Sequence, residues 1–155
     1  MDLASIRMIT DDLERVLQFY EQVTGVTAVR YTPVFAELIM PSCTLAIGHA
    51  QTTQLFGTDS ARAADNHTII IEFRVEDVDS EYERLKPLVN DWVQEPTTMP
   101  WGNRSILFRD PDGNLVNFFT PVTEEAIKKF NSRPQNATLT RLPTAATFAG
   151  PAGKA

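Results

Sequence analysis

The chain offers few side chains suited to chemistry, and it scatters them. Its 155 residues hold two histidines, His49 and His67, and a single cysteine, Cys43. The stretch FRDPDGNLVNFFTP, residues 108–121, reads as two strands joined by an Asp-Pro-Asp-Gly-Asn turn, with Gly113 supplying the positive φ that the reversal requires. On the exit strand stands Asn117, an amide where general acid–base chemistry would use a carboxylate. Both histidines flank a polar connector on the helix side of their strands, which suits strand-end residues better than ligands or bases. Cys43 alternates with Leu45 and Ile47 on an apolar face and is expected to be a buried thiol, not a nucleophile. Ser5 has no Gly-rich elbow and no histidine at a readable spacing, so a hydrolase triad is unsupported.

The elements that must position these groups repeat in pattern. SIRMITDDLERVLQFYEQVTG predicts a strand, an Asp11 or Asp12 N-cap, and a helix with Leu13, Val16, Leu17 and Tyr20 on one face, ending at Gly25. IIIEFRVEDVDSEYERLKPL repeats it, with Asp77 as N-cap, Val78, Tyr82 and Leu85 on the apolar face, and an end near Pro87. Three strand candidates follow each helix: VTAVRY, VFAELIM and CTLAIGH in the first half, DWVQE, RSILF and NLVNFF in the second. The fold class is therefore α+β, built from two βαβββ modules. Residues 51–66 form a polar connector suited to a flexible lid or linker, and TEEAIKKFNS predicts a short helix capped by Thr123.

Composition narrows the partners. Fourteen Lys and Arg against twenty Asp and Glu give a net charge of -6, which repels a phosphate backbone, so nucleic acid is not an expected partner. A lone cysteine suits a reducing compartment, and the cytoplasm is the expected location. MDLASIRMIT carries no export signal, and no run approaches the roughly 20 apolar residues of a membrane helix, so no membrane is expected either.

The paired βαβββ halves, the DDLERVLQFYEQVTG segment and PWGNRSILFRDPDGNLVNFFTP together resemble the vicinal oxygen chelate superfamily of glyoxalases, extradiol dioxygenases, fosfomycin-resistance enzymes and bleomycin-resistance proteins. The resemblance implies one domain over residues 1–121, with modules 3–50 and 67–121 and connector 51–66, each module curling into a partial barrel around a concave cup. Residues 122–132 are the short helix, and 133–155, rich in Ala, Thr, Pro and Gly, are expected to be a disordered tail. Metal-dependent members carry His, Glu or Gln ligands on the first and last strands of each module. Transferred here, those positions fall on Ser5, Ala46 or Gly48, Ile70 and Asn117, a set with too few donors for a divalent metal. No metal and no cofactor are expected.

Strand alternation then selects the side chains that line the cup. On the first strand Ile6 and Met8 pack beneath the helix, and Ser5, Arg7 and Ile9 face inward. On the fifth, Ile69, Ile71, Phe73 and Val75 form the apolar face, opposite Ile70, Glu72 and Arg74. On the eighth, Leu115, Asn117 and Phe119 face inward. Arg7 and Glu72 occupy equivalent positions when Asp12 is laid over Asp77, and are expected to approach each other inside the cup. Glu37 shares a face with Phe35 and Ile39, at the rim or in the cup, and the resemblance places Trp101 at the pocket mouth. The expected ligand-binding set is Arg7, Glu37, Glu72, Arg74, Trp101, Asn117 and Phe119. Such a cup suits a homodimeric, metal-independent protein, similar to the bleomycin-resistance type, that sequesters a small organic, toxic or antibiotic-like molecule. The alternative is a lyase, isomerase or dioxygenase of the superfamily, using displaced ligands or metal-free acid–base catalysis by Glu72 or Glu37. A structural dimer with a filled cup is a third reading.

Overall fold

The structure, a computed structural model, describes residues 3–57 and 59–132; the segment 133–155 expected to be a disordered tail lies outside them. The first module runs β1 (Ser5–Thr10), α1 (Leu13–Thr24), β2 (Val29–Thr32), β3 (Phe35–Ile39) and β4 (Thr44–His49). The second runs β5 (Ile70–Arg74), α2 (Val78–Leu85), β6 (Trp92–Thr98), β7 (Asn103–Arg109) and β8 (Leu115–Pro121), and α3 (Glu124–Asn131) follows. Each module forms a four-stranded mixed sheet, ordered β1-β4-β3-β2 and β5-β8-β7-β6, so its first strand lies parallel to its last. This is the doubled βαβββ plan of the sequence.

The helices begin where the caps dictate. The Asp12 carboxylate accepts the Arg15 N–H, Asp77 accepts the Asp79 N–H, and Gly25 closes α1 in the left-handed region. The buried stripe of α1, from Leu13 through Val16, Leu17 and Tyr20 to Val23, packs into one core with Leu38, Ile47, Leu85, Phe108 and Phe118. That core draws on both modules. Trp92, Phe108, Phe118 and Phe73 form a chain of edge-to-face ring contacts within it, 5.3–5.5 Å between centroids.

The modules are also joined by polar contacts on the helix side. Arg84 of α2 donates to the carbonyls of Gln22 and Val23 at 3.1 and 2.7 Å, capping the C-terminal turn of α1 with a cation from the other module. Arg15 of α1 reaches the Pro111 carbonyl and the Asp112 carboxylate in the β7–β8 turn.

Four local expectations change. The start of the connector, with Ala50 before it, forms a 3₁₀ segment (Ala50–Phe56), because His49 Nδ1 accepts the Gln51 N–H while Thr52 and Thr53 donate to the His49 and Ala50 carbonyls. Cys43 is half-buried instead of buried, since β4 begins one residue later and leaves the thiol in the preceding turn. Ile69 precedes β5 and is 53% exposed, outside the apolar face assigned to it. β6 runs on through Pro96, which an edge strand with two register shifts tolerates.

Candidate functional site

In the first module, ladder registry sets Arg7, Ala46 and Glu37 side by side across β1, β4 and β3, on the face opposite the core residues Leu38, Leu45 and Ile47. The Arg7 guanidinium lies over the Phe35 ring, 5.0 Å from its centroid. One row further on are Ile9, Gly48 and Phe35. A Cβ at Gly48 would stand 3.0 Å from the Thr52 hydroxyl and 3.6 Å from both Ile9 and Phe35, so this end of the concave face is filled.

The second module repeats the arrangement with different chemistry. Glu72, Asn117 and Leu107 form the central row across β5, β8 and β7. Asn117 Nδ2 donates to Glu72 Oε1 at 2.9 Å. Asn117 is only 8% exposed, and its Oδ1 is buried with no hydrogen-bond partner. In the next row Phe119 packs on Phe130 of α3, 5.1 Å between ring centroids, and Arg74 lies 5.9 Å from the same ring. Phe119 is thus wedged between sheet and helix.

Arg7 and Glu72 do not meet as expected. No ion pair joins them within 4.0 Å among the described residues: Arg7 turns onto Phe35, and Glu72 turns along its own sheet to Asn117. Equivalence across a repeat places two residues at matching points of separate sheets, which does not bring them into contact. Stability changes from Arg7→Met and Glu72→Met are therefore expected to add within about 0.5 kcal/mol in the double variant, as read by urea unfolding. Trp101 occupies the turn between β6 and β7 and is 64% exposed, with no ring contact to another described aromatic residue.

The same registry resolves the fourth candidate ligand position. Arg7 pairs with Ala46 as Glu72 pairs with Asn117, so Ala46, not Gly48, is the counterpart of Asn117. A metal at the positions the resemblance implies would meet an exposed Ser5 hydroxyl, the Ala46 methyl, an Ile70 side chain and an amide whose nitrogen already serves Glu72. Among the described residues no three His, Cys, Asp or Glu side chains gather elsewhere. This donor set does not fit the metal of the chelating enzymes.

Residues 2–118 match the sequence profile of the Glyoxalase/Bleomycin resistance protein/Dioxygenase superfamily. The chain belongs to that superfamily. Solved structures share the fold. A glyoxalase/bleomycin resistance protein/dioxygenase from Nocardioides is 23% identical with a TM-score of 0.66, covering 90% of each chain. One from Burkholderia phytofirmans PsJN is 18% identical with a TM-score of 0.68, over 79% of this chain and all of that one (100%). A glyoxalase-related enzyme from Fulvimarina pelagi is 21% identical with a TM-score of 0.67, over 77% and 88%. Likeness at these identities speaks for the superfamily fold alone. No curated protein matches the chain.

Two of the cavities among the described residues bear on this face. The larger, about 420 Å³, lies between α3 and the end of β5 and includes Arg74 and Phe130 but neither Glu72 nor Asn117. A smaller one of about 180 Å³ separates β1 from β5, lined by Arg7, Ile9 and Ile71 and closed by Arg62, Asp65 and Asn66 of the connector. We centre the candidate site on Glu72 and Asn117, where chemistry and volume disagree, because unmet polar demand identifies a ligand more directly than space does. Leu107 and Phe130 were missed by the sequence reading, which placed Phe35 on the face of Glu37 but gave it no binding role. Leu107 had a readable signal: the 110–114 turn pairs residues symmetrically about Asp112, which puts Leu107 opposite Asn117.

Proposed function

We propose that this chain is a metal-independent small-molecule-binding protein of the superfamily, which holds an organic, toxic or antibiotic-like compound on its concave face without transforming it. The supporting observation is a contrast in charge pairing. Arg15, Arg30, Arg62, Arg84 and Arg104 each have a carboxylate within 4.0 Å, whereas the cup-facing Arg7, Glu37, Glu72 and Arg74 have no such ion pair among the described residues. Most of the described arginines are answered by a carboxylate of the protein, and the four concave-face charges are left for something else. Phe35 and Phe130 hold the two arginines by their faces, which leaves the N–H edges free to recognise a polar group. Trp101 and Asn117 complete the proposed binding set, and Phe119, covered by Phe130, backs it from beneath α3.

A homodimer in the cytoplasm belongs to the same proposal. The edge strand β2 carries exposed Val29 and Tyr31, and Ile70 is 48% exposed, apolar surface that a second copy would cover. No helix among the described residues is long and apolar enough to cross a membrane.

Elemental analysis after gentle purification and brief dialysis is expected to find well under one equivalent of zinc, nickel, iron or manganese per chain. Sedimentation at micromolar concentration is expected to give a dimer, and a thermal-shift screen of antibiotic-like compounds to give hits recovered unaltered by mass spectrometry. A retained equivalent of metal, or chemically changed hits, would instead favour a superfamily lyase, isomerase or dioxygenase.

A further inference from the structure

The Glu72–Asn117 pair specifies one end of the ligand. Asn117 projects from β8 beside Glu72 of β5 and Leu107 of β7, between the apolar neighbours Leu115 and Phe119 of its own strand face. Its Nδ2 occupies one oxygen of Glu72. What remains is acceptor capacity: the second carboxylate oxygen of Glu72, which has no ion-pair partner, and the buried, unpartnered Oδ1 of Asn117. A desolvated carbonyl without a donor is destabilising, so the folded chain keeps an unmet demand at this point. The second hydrogen of Asn117 Nδ2 lies beside the Glu72 carboxylate, whose charge opposes an anion there, whereas both groups can accept from N–H.

We infer that this pair is the subsite for a cationic N–H donor, an amine or amidine attached to an apolar body, with the cation on Glu72 and one of its N–H groups on Asn117 Oδ1. The inference rests on the binding function proposed above and adds the chemical class of the ligand's polar end. Glu72 is exposed and carries the longer stem, so its side chain is the part that moves to admit the donor, while Asn117 stays fixed by its strand neighbours. Charge-assisted hydrogen bonds are the strong ones, and the apolar surroundings of Asn117 favour them further. The guanidinium of Arg74, in the adjacent row of the same sheet, disfavours a second cation there and biases a monocationic ligand toward one orientation.

The test uses three isosteric probes, benzamidine, benzamide and benzoate, titrated into the full-length protein and followed by the side-chain amide resonances of Asn117 and the backbone amides of β5 and β8. Benzamidine is expected to shift them saturably. Glu72→Gln should weaken that binding roughly tenfold or more, and Asn117→Leu by several-fold. Spectra of the free variants establish that each is folded, and Glu72→Gln retains an acceptor for Asn117 Nδ2. Saturable binding of benzoate to these strands in place of benzamidine would overturn the donor assignment and leave the binding function standing. Equal binding of benzamidine by wild type and Glu72→Gln would also overturn it. If no probe perturbs the concave face of either module, both the assignment and the binding function fall.

Discussion

Replacing Asp110 with alanine is expected to destabilise the protein by about 3 kcal/mol or more, with the urea midpoint falling at an unchanged slope. The Asp110 carboxylate is buried and accepts four hydrogen bonds: from the Tyr20 hydroxyl at 2.8 Å, the Asp112 and Asn114 N–H groups at 2.9 Å each, and Asn114 Nδ2 at 2.8 Å. Alanine strands those donors, some of them out of reach of water, and each buried unmet donor costs about 1–3 kcal/mol. Tyr20→Phe removes a single bond and is expected to cost about 1–2 kcal/mol. The two effects should be non-additive in the double variant, since they share an interaction.

The same network sets an alkaline limit. Burial, then the adjacent Asp110 carboxylate, holds the Tyr20 phenol well above its ordinary value of 10.0. The folded state thus keeps the proton more tightly than the unfolded chain does. This contribution is fully present below about pH 10 and is lost as pH rises from there through the higher folded value. In Tyr20→Phe that alkaline loss should be reduced, as read from urea midpoints between pH 8 and 11. Because Asp110 organises the β7–β8 turn, its loss should also disturb the Leu107–Asn117–Glu72 row, a route from the core to the candidate site.

What could be read beforehand divides along the range of the interactions. Helix starts at Asp12, Asp77 and Thr123, the Gly25 stop and the alternation of Ala36 and Leu38 against Glu37 follow from local chemistry, and each is found in the structure. Asn117 and Glu72 were legible as inward-facing, but not as partners. β5 and β8 are parallel strands separated in sequence by α2, β6 and β7, so no turn between them sets their registry, which packing decides. The Tyr20–Asp110 bond spans 90 residues and joins two modules, so no spacing announces it. The 3₁₀ segment was missed for the opposite reason: its bonds are local, but they run from His and Thr side chains to the backbone and leave no apolar period. A pattern search sees repeated burial; it does not see a polar turn.

Gly102→Ala should cause a second large loss, about 2–4 kcal/mol, concentrated in α3. Gly102 has φ +88, where any side chain is strained by about 1 kcal/mol or more. A Cβ there would stand 2.1 Å from Thr123 Oγ1 and 3.1 Å from the Cβ atoms of Thr123 and Ala126. Thr123 is the N-cap of α3, its hydroxyl accepting from the Ala126 N–H, and the Gly102 carbonyl receives the Val122 and Thr123 N–H groups. The methyl group therefore has to push away the cap that starts the helix, adding about 1 kcal/mol for the lost capping bond to the backbone strain. Gly25→Ala is the internal control: its φ is +70, but nothing lies within 4 Å of the added Cβ, so strain alone applies and about 1 kcal/mol is expected. Urea unfolding measures both totals, and hydrogen exchange separates them. In Gly102→Ala the amides of residues 127–131 should lose protection well beyond the global change, whereas Gly25→Ala should lower all slow amides together. Release of α3 also withdraws Phe130 from Phe119 and Arg74, so Phe119 becomes accessible and the far end of the concave face opens. Unchanged exchange in α3 of Gly102→Ala would mean that the turn carrying Gly102 yields instead of the helix, and that α3 is held mainly by its aromatic contact with β8.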